Sequence, residues 1–200
     1  MIQAKKQTKE AIEMKKFRIY IGGIGGVGKT AVGQELARRH QMKHLSGSQI
    51  MMELCGVDSR EELSRVPKEQ KMAIEKIEYP HFATQYPRVI IDGHCDLLPE
   101  QAECFDGFVF LTAPAKIIKI RREQRKGRQR DVGIRTIRTE QNEYQQRVSK
   151  TEQECRIKFV TVSNVGSIDE TCGLIEKVLK FSVREQNKKG NIWVAKSNET

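Results

Sequence analysis

The segment Gly23-Ile24-Gly25-Gly26-Val27-Gly28-Lys29-Thr30 fits the pattern G-x-x-x-x-G-K-[ST]. Each fixed residue type has a chemical reason to be there. Glycine lets the backbone curl until successive N–H groups point inward at phosphate oxygens, where side chains would obstruct. The lysine reaches the β- and γ-phosphates, and the hydroxyl that follows it is placed for Mg2+. The flanks agree with that use. Phe17-Arg18-Ile19-Tyr20-Ile21 is a short β-rich run, and Ala31 to His40 is a run of good helix formers. Strand, glycine loop and helix is the context a phosphate-binding loop requires. The helix N-terminus adds partial positive charge. The expected triphosphate cradle is Gly23, Gly25, Gly26, Val27, Gly28, Lys29, Thr30 and Ala31, with ATP and Mg2+ as cofactors.

A second acid completes the chemistry. Arg88-Val89-Ile90-Ile91-Asp92 is a near-continuous apolar run closed by a carboxylate, the pattern of a strand buried on both faces. An acid there, downstream of a phosphate-binding loop, holds Mg2+ together with Thr30. His94 follows after Gly93 and is placed to orient a water or touch substrate. Phosphoryl transfer also needs cations around the moving group. Arginine suits this because its fork binds oxygens in pairs and stays charged. The stretch Arg121 to Arg138 carries Arg121, Arg122, Arg125, Lys126, Arg128, Arg130, Arg135 and Arg138 against only Glu123 and Asp131. With Gly127 inside it and an apolar helix before it, the run reads as a short Arg-rich lid. The expected catalytic set is Lys29, Asp92, His94, Arg121, Arg128 and Arg130.

The remaining elements must bring these residues to one place. Helices are expected over Lys29 to Gln41, from Ser46-Gly47-Ser48 through Leu54, after the capping box Ser59-x-x-Glu62, and behind Pro67 with Met72, Ile74 and Ile77 as packing residues. Strands are expected at Phe17 to Gly22, Lys43 to Leu45, Arg88 to Asp92, Phe108 to Leu111 and Ile157 to Val162. Pro114 opens a helix through Ile117, Ile118 and Ile120, and a long polar helix fills Ile134 to Cys155. A final amphipathic helix, Ile168 to Phe181, presents Leu174, Ile175, Val178 and Leu179. Strands alternating with helices predict an α/β P-loop NTPase fold: a parallel sheet of about five strands covered on both faces. Ligands of such sheets bind beyond the carboxyl ends of the strands, where Gly22 and Asp92 both lie.

Composition sets the outer bounds. Two hundred residues with 38% hydrophobic content suit one domain. The expected organisation is a basic extension over 1–16, a P-loop domain over 17–181 and a polar tail over 182–200, broken only by Ile192-Trp193-Val194. No apolar run reaches the length of a membrane span, which points away from a membrane and to a cytoplasmic protein. Five scattered cysteines without a C-x-x-C pair argue against a disulfide framework and a zinc site. The net charge of +10 suits either polyanionic nucleotides or a nucleic-acid surface.

The order of glycine loop, Ser-Gly turn, Asp-Gly-His, and Arg121-Arg122 followed by Arg128-Gln129-Arg130-Asp131 resembles the archaeal-type adenylate kinases. It is also similar to their eukaryotic nuclear relatives, which act as adenylate kinases and as ATPases in small-subunit ribosome assembly. The resemblance runs from about Phe17 to Phe181. It implies a nucleoside monophosphate kinase fold with a short lid, Gly47 at the monophosphate pocket, and lid roles for Arg121, Arg128 and Arg130. It leaves open whether Arg60 or Arg65 grips the monophosphate. The activity expected is transfer of the ATP γ-phosphate to a small nucleotide. Two alternatives stand beside it: an ATP-hydrolysing assembly factor with an RNA, ribosome-associated or protein partner, and a kinase for a non-nucleotide small molecule.

Overall fold

The computed structural model describes residues 16–124 and 133–189, with side chains to residue 179. In chain order the elements are β1 (Phe17–Gly22), α1 (Lys29–His40), β2 (Lys43–Ser46), α2 (Gly47–Cys55), α3 (Arg60–Arg65), α4 (Lys68–Thr84), β3 (Arg88–Gly93), α5 (Pro99–Ala102), β4 (Gly107–Thr112), α6 (Ala115–Glu123), α7 (Ile134–Cys155), β5 (Val160–Ser163) and α8 (Ile168–Lys189). The strands form one five-stranded sheet in the order β2-β3-β1-β4-β5. Every neighbouring pair is parallel. The basic segment 1–15, the stretch holding Arg128 and Arg130, and the Ile192-Trp193-Val194 patch lie outside the described residues.

Side-chain alternation explains why the sheet needs helices on both faces. Ile19, Ile21, Ile90, Val109 and Leu111 point to one side and pack with Val32 and Leu36 of α1, Ile118 of α6 and Ile175 of α8. Tyr20, Val89, Ile91, Phe108 and Phe110 point to the other and pack with Ile50 and Met51 of α2 and Tyr79 of α4. A strand apolar on successive residues must be covered twice. An edge-to-face ladder, Phe105–Phe108–Phe159, runs through the second layer with centroids 6.2 and 5.5 Å apart.

The register fixes where function can sit. Ile21 pairs with Asp92, Gly22 with Gly93, and Ser46 with Asp92. The glycine loop, the buried acid and the start of α2 therefore emerge side by side at one carboxyl edge.

Several expectations change in detail. Met72 and Ile77 are 54% and 67% exposed, because α4 turns them away from the layer in which Tyr79 and Ala83 are buried, while Ile74 packs against that layer as expected. Leu174 is half exposed, and Cys172 takes its place in the stripe with Ile175 and Leu179. Ser59 Oγ accepts from Glu62 N as a cap should, but Glu62 reaches Asp58 N rather than completing the box on Ser59. The backbone of α8 stays helical to Lys189, past the expected helix end at Phe181. Arg184, Glu185, Gln186 and Lys188 all favour helix, and the next glycine comes only at Gly190.

Ile90, fully buried in β3, should lose about 2–5 kcal/mol of stability as Ile90→Ala, while Ile77→Ala on the exposed face of α4 stays within about 0.5 kcal/mol. Urea unfolding followed by circular dichroism measures both.

Candidate active site

The glycine loop takes shape because its carbonyls are tied back. Asn164 Nδ2, just past β5, donates to Val27 O at 2.7 Å, and Arg121 Nη1 adds a second bond at 3.2 Å. Arg122 Nε donates to Gly25 O at 2.9 Å. The C=O and the following N–H of a trans peptide point opposite ways. Holding Gly25 O and Val27 O therefore aims the amides of Gly26 and Gly28 away from those anchors. Gly28 caps α1 in the left-handed region (φ 96°), and a Cβ there would meet Asn164 Nδ2 at 2.4 Å, so only glycine fits.

Asn164 is itself fixed. Its backbone N donates to Thr112 O at 2.8 Å, and Thr171 Oγ1 donates to its Oδ1 at 2.9 Å. Both residues are almost fully buried. Arg122 is held from behind by Glu140 of α7, with Nη2 2.5 Å from Oε2. Lys29 Nζ donates to Gly23 O at 2.6 Å and Ile24 O at 3.1 Å, so the ammonium spans the loop.

Asp92 is 4% exposed, and its Oδ2 accepts from His44 Nε2 of β2 at 2.9 Å. His44 fits because α1 has Gly33 opposite it: a Cβ there would lie 2.8 Å from the imidazole. Among the described residues no group of three or more His, Cys, Asp or Glu side chains converges on a cation. One carboxylate and one hydroxyl, with phosphate oxygens as further ligands, is nevertheless the donor set Mg2+ takes in phosphoryl-transfer sites. Asp92 and Thr30 fit that role, both lining the same cleft.

That cleft has a volume of about 460 Å3. One end is formed by Gly25, Gly26, Gly28, Lys29 and Thr30, and its middle by Asp92, Gly93 and His94. The far end is walled by α2, α3 and α4, where Ser46, Gly47, Ser48, Arg60, Lys71 and Glu75 line it. Gly47 is small for cause, since a Cβ would sit 3.0 Å from Asp92 O. Arg60 Nη2 donates to Ser48 Oγ at 2.8 Å. Burial raises the Glu75 carboxyl above the usual range, partly offset by Lys71. His94 is exposed at the cleft, yet desolvation by the surrounding protein, and then the Lys29 charge, lowers its pKa. Burial pushes the Cys95 thiol beside it up to about 12, leaving it unsuited to act as a nucleophile.

Most of the expected site residues therefore converge. Lys29, Thr30, Gly25, Gly26, Gly28, Gly47, Asp92 and His94 line the cleft. Gly23 and Val27 are buried within the loop, Ala31 is exposed on α1, and Arg121 braces the loop from outside. Arg128 and Arg130 lie outside the described residues. Sequence reasoning missed His44, Asn164 and Glu140. Asn164 had a signal, its place beyond the carboxyl end of the last strand. His44 and Glu140 had none, since their partners are distant in the chain.

A parallel sheet with adjacent β1 and β3, a glycine loop and a buried acid define a P-loop protein with the fold of the small kinases. The chain belongs to the family described as AAA domain, whose model matches residues 22–141. No curated protein sequence matches significantly. Among solved structures, shikimate kinase from Bacteroides thetaiotaomicron is similar at a TM-score of 0.62 and 15% identity, covering 82% of this chain and 98% of its own. A gluconokinase from Sinorhizobium meliloti 1021 gives 0.58 and 15%, covering 88% and 98%. Shikimate kinase from Acinetobacter baumannii, in complex with shikimate, gives 0.60 and 17%, covering 88% and 97%. At such identity the likeness bears on fold.

Two substitutions check the supports of the site. Asn164→Ala should cost about 1–3 kcal/mol in stability and weaken ATP binding by calorimetry, because Val27 O loses its shortest bond. Gly33→Ala should push His44 off Asp92, so that Mg2+-dependent turnover falls while metal-free nucleotide affinity holds.

Proposed function

We propose that the protein is an ATP- and Mg2+-dependent phosphotransferase that moves the γ-phosphoryl group to a small polar acceptor. The observation that carries this reading is that one cleft takes in the glycine loop, Asp92 and, under α2–α4, a chamber whose lining includes Arg60, Lys71 and Glu75. Phosphoryl transfer is mainly positioning and electrostatics, so no covalent nucleophile is required. Loop amides and Lys29 hold the triphosphate. Thr30 and Asp92 would hold Mg2+, which when bound would supply charge neutralisation for the phosphate oxygens. His44 keeps the Asp92 carboxylate in one orientation. Arg121 and Arg122, in the last turn of α6 and bonded to the loop carbonyls, supply further positive charge.

The acceptor end carries opposite charges. Arg60, steadied by Ser48, offers a cationic fork, and Glu75 offers a hydrogen-bond acceptor. Together they suit a small molecule with an acidic group and hydroxyls. Similar structures named shikimate kinase and gluconokinase support such a hydroxy acid. A nucleoside monophosphate is the second reading. It is favoured by the close approach of Gly47 to Asp92 and by the resemblance to adenylate kinases, with Arg60 then on the phosphate.

ADP release should appear on adding shikimate, gluconate or a nucleoside monophosphate to protein and MgATP, well above a no-acceptor control. Lys29→Ala and Asp92→Asn should each lose on the order of 10²–10³ in kcat, with Cys95→Ala keeping most activity. Steady ATP hydrolysis indifferent to every acceptor would count against the reading.

A further inference from the structure

His94 is held more firmly than a turn after Asp92-Gly93 requires. Its carbonyl accepts from the Tyr20 hydroxyl, and its ring Nδ1 lies 2.5 Å from Tyr144 Oη on α7. The two rings are 6.2 Å apart and tilted by 47°, so a polar contact joins them rather than stacking. Tyr144 is braced in turn. Arg147 Cζ sits 5.2 Å from its ring centroid, and Arg147 Nη1 is held 3.0 Å from Asp96 Oδ2.

The direction of the proton follows from the chemistry of the pair. A tyrosine hydroxyl carries one proton, and a neutral imidazole carries one on either nitrogen. Phenol is a far better donor than a neutral imidazole N–H, and a bare ring nitrogen is a far better acceptor than a phenolic oxygen. Among the described residues, His94 Nδ1 is the hydrogen-bond partner that Tyr144 Oη has. The favoured arrangement has the tyrosine donating to Nδ1, which leaves the ring proton on Nε2. Tyr144 stands outside the cleft while His94 lines it, so the ring edge that α7 does not engage is the one left for the cleft.

We propose that Tyr144 is a positioning residue: its hydroxyl donates to His94 Nδ1 and so presents His94 Nε2–H to the cleft as a hydrogen-bond donor, not as a general base. The recipient is an oxygen of the phosphoryl group or the acceptor, and for that part alone the proposal rests on the phosphotransfer reading. It also ties α7 to the reacting centre, beside the Glu140–Arg122 pair that ties the same helix to the glycine loop.

Long-range 1H–15N correlation spectra of the full-length protein, 15N-labelled at histidine and held at pH 8, report which ring nitrogen carries the proton. The expected result is an Nε2–H tautomer for His94, with Tyr144→Phe moving population toward Nδ1–H. Tyr144→Phe should also lower kcat for ATP turnover by about tenfold to a hundredfold while KM for ATP stays within about twofold. His94→Gln, whose amide nitrogen reaches the Nε2 position, should retain more turnover than His94→Asn, whose amide reaches the Nδ1 position. A wild-type proton on Nδ1, or equal turnover in Tyr144→Phe and wild type, overturns the proposal. Absence of ATP turnover in the wild type with any acceptor would strike the phosphotransfer reading instead, and the tautomer would then decide the proposal alone.

Discussion

A loop that binds phosphate has to dispose of its own carbonyl oxygens, which repel the ligand as surely as its amides attract it. In this protein the carbonyls are tied from outside the loop. The end of β5 holds Val27 O through Asn164, and α6 holds Val27 O and Gly25 O through Arg121 and Arg122. These bonds decide which way the neighbouring amides face, and hence whether the loop attracts an anion. Lys29 is the exception, because its contacts to Gly23 O and Ile24 O are made by the group that must meet the triphosphate. An ammonium on neutral carbonyls gains by exchange for phosphate oxygens, since charge-assisted bonds are the stronger ones. On the proposed reading, triphosphate binding would draw Lys29 from these carbonyls and leave the outer supports in place.

The long helix α7 unites the two halves of the molecule. Ile137 enters the core layer on the α1 side of the sheet, and Val148 enters the layer on the α2 side. Between and beyond them the helix puts polar groups onto the site's own backbone. Gln141 donates to Ala113 O, Thr151 donates to Cys95 O, and Glu140 grips Arg122. The polar composition of α7 thus has a use beyond contact with water. It also places Tyr144 and Arg147 against the turn that follows Asp92.

What the sequence makes legible divides along this line. The strands, the glycine loop and Asp92 were readable because their signals are local: continuous apolar runs, fixed spacings and an acid at a strand end. The α7 span from Ile134 to Cys155 was also readable, as a long helix of polar composition. Its bonds to Gly25's anchor and to His94 were not, because each depends on a partner at least 18 residues away. His44 is the clearest case. Nothing near Lys43-His44-Leu45 marks it, and only the pairing of β2 with β3 brings it to Asp92. Gly33 was equally silent, since a helix-interior glycine explains itself only once the imidazole opposite it is known. Met72, Ile77 and Leu174 failed for a related reason. Helical spacing shows that an apolar face exists, not how much of its length the sheet covers.

The two ends of the cleft are specified in different ways, and that difference governs what each reveals. On the proposed reading, the triphosphate end is built from backbone, with a few glycines, one lysine and one hydroxyl. The opposite end is lined by side chains on α2, α3 and α4, and its charges would carry the selectivity. Arg60, Lys71 and Glu75 set two cations and a carboxyl group into the lining of one chamber. A half-buried carboxylate in that position repels a second anionic group and favours a hydroxyl or an amine. On the proposed reading, an acceptor that is acidic at one end and a hydrogen-bond donor at the other satisfies both. On the proposed tautomer, His94 Nε2–H would face the cleft that the residue lines as a neutral donor, adding a bond to oxygen without adding charge beside Lys29.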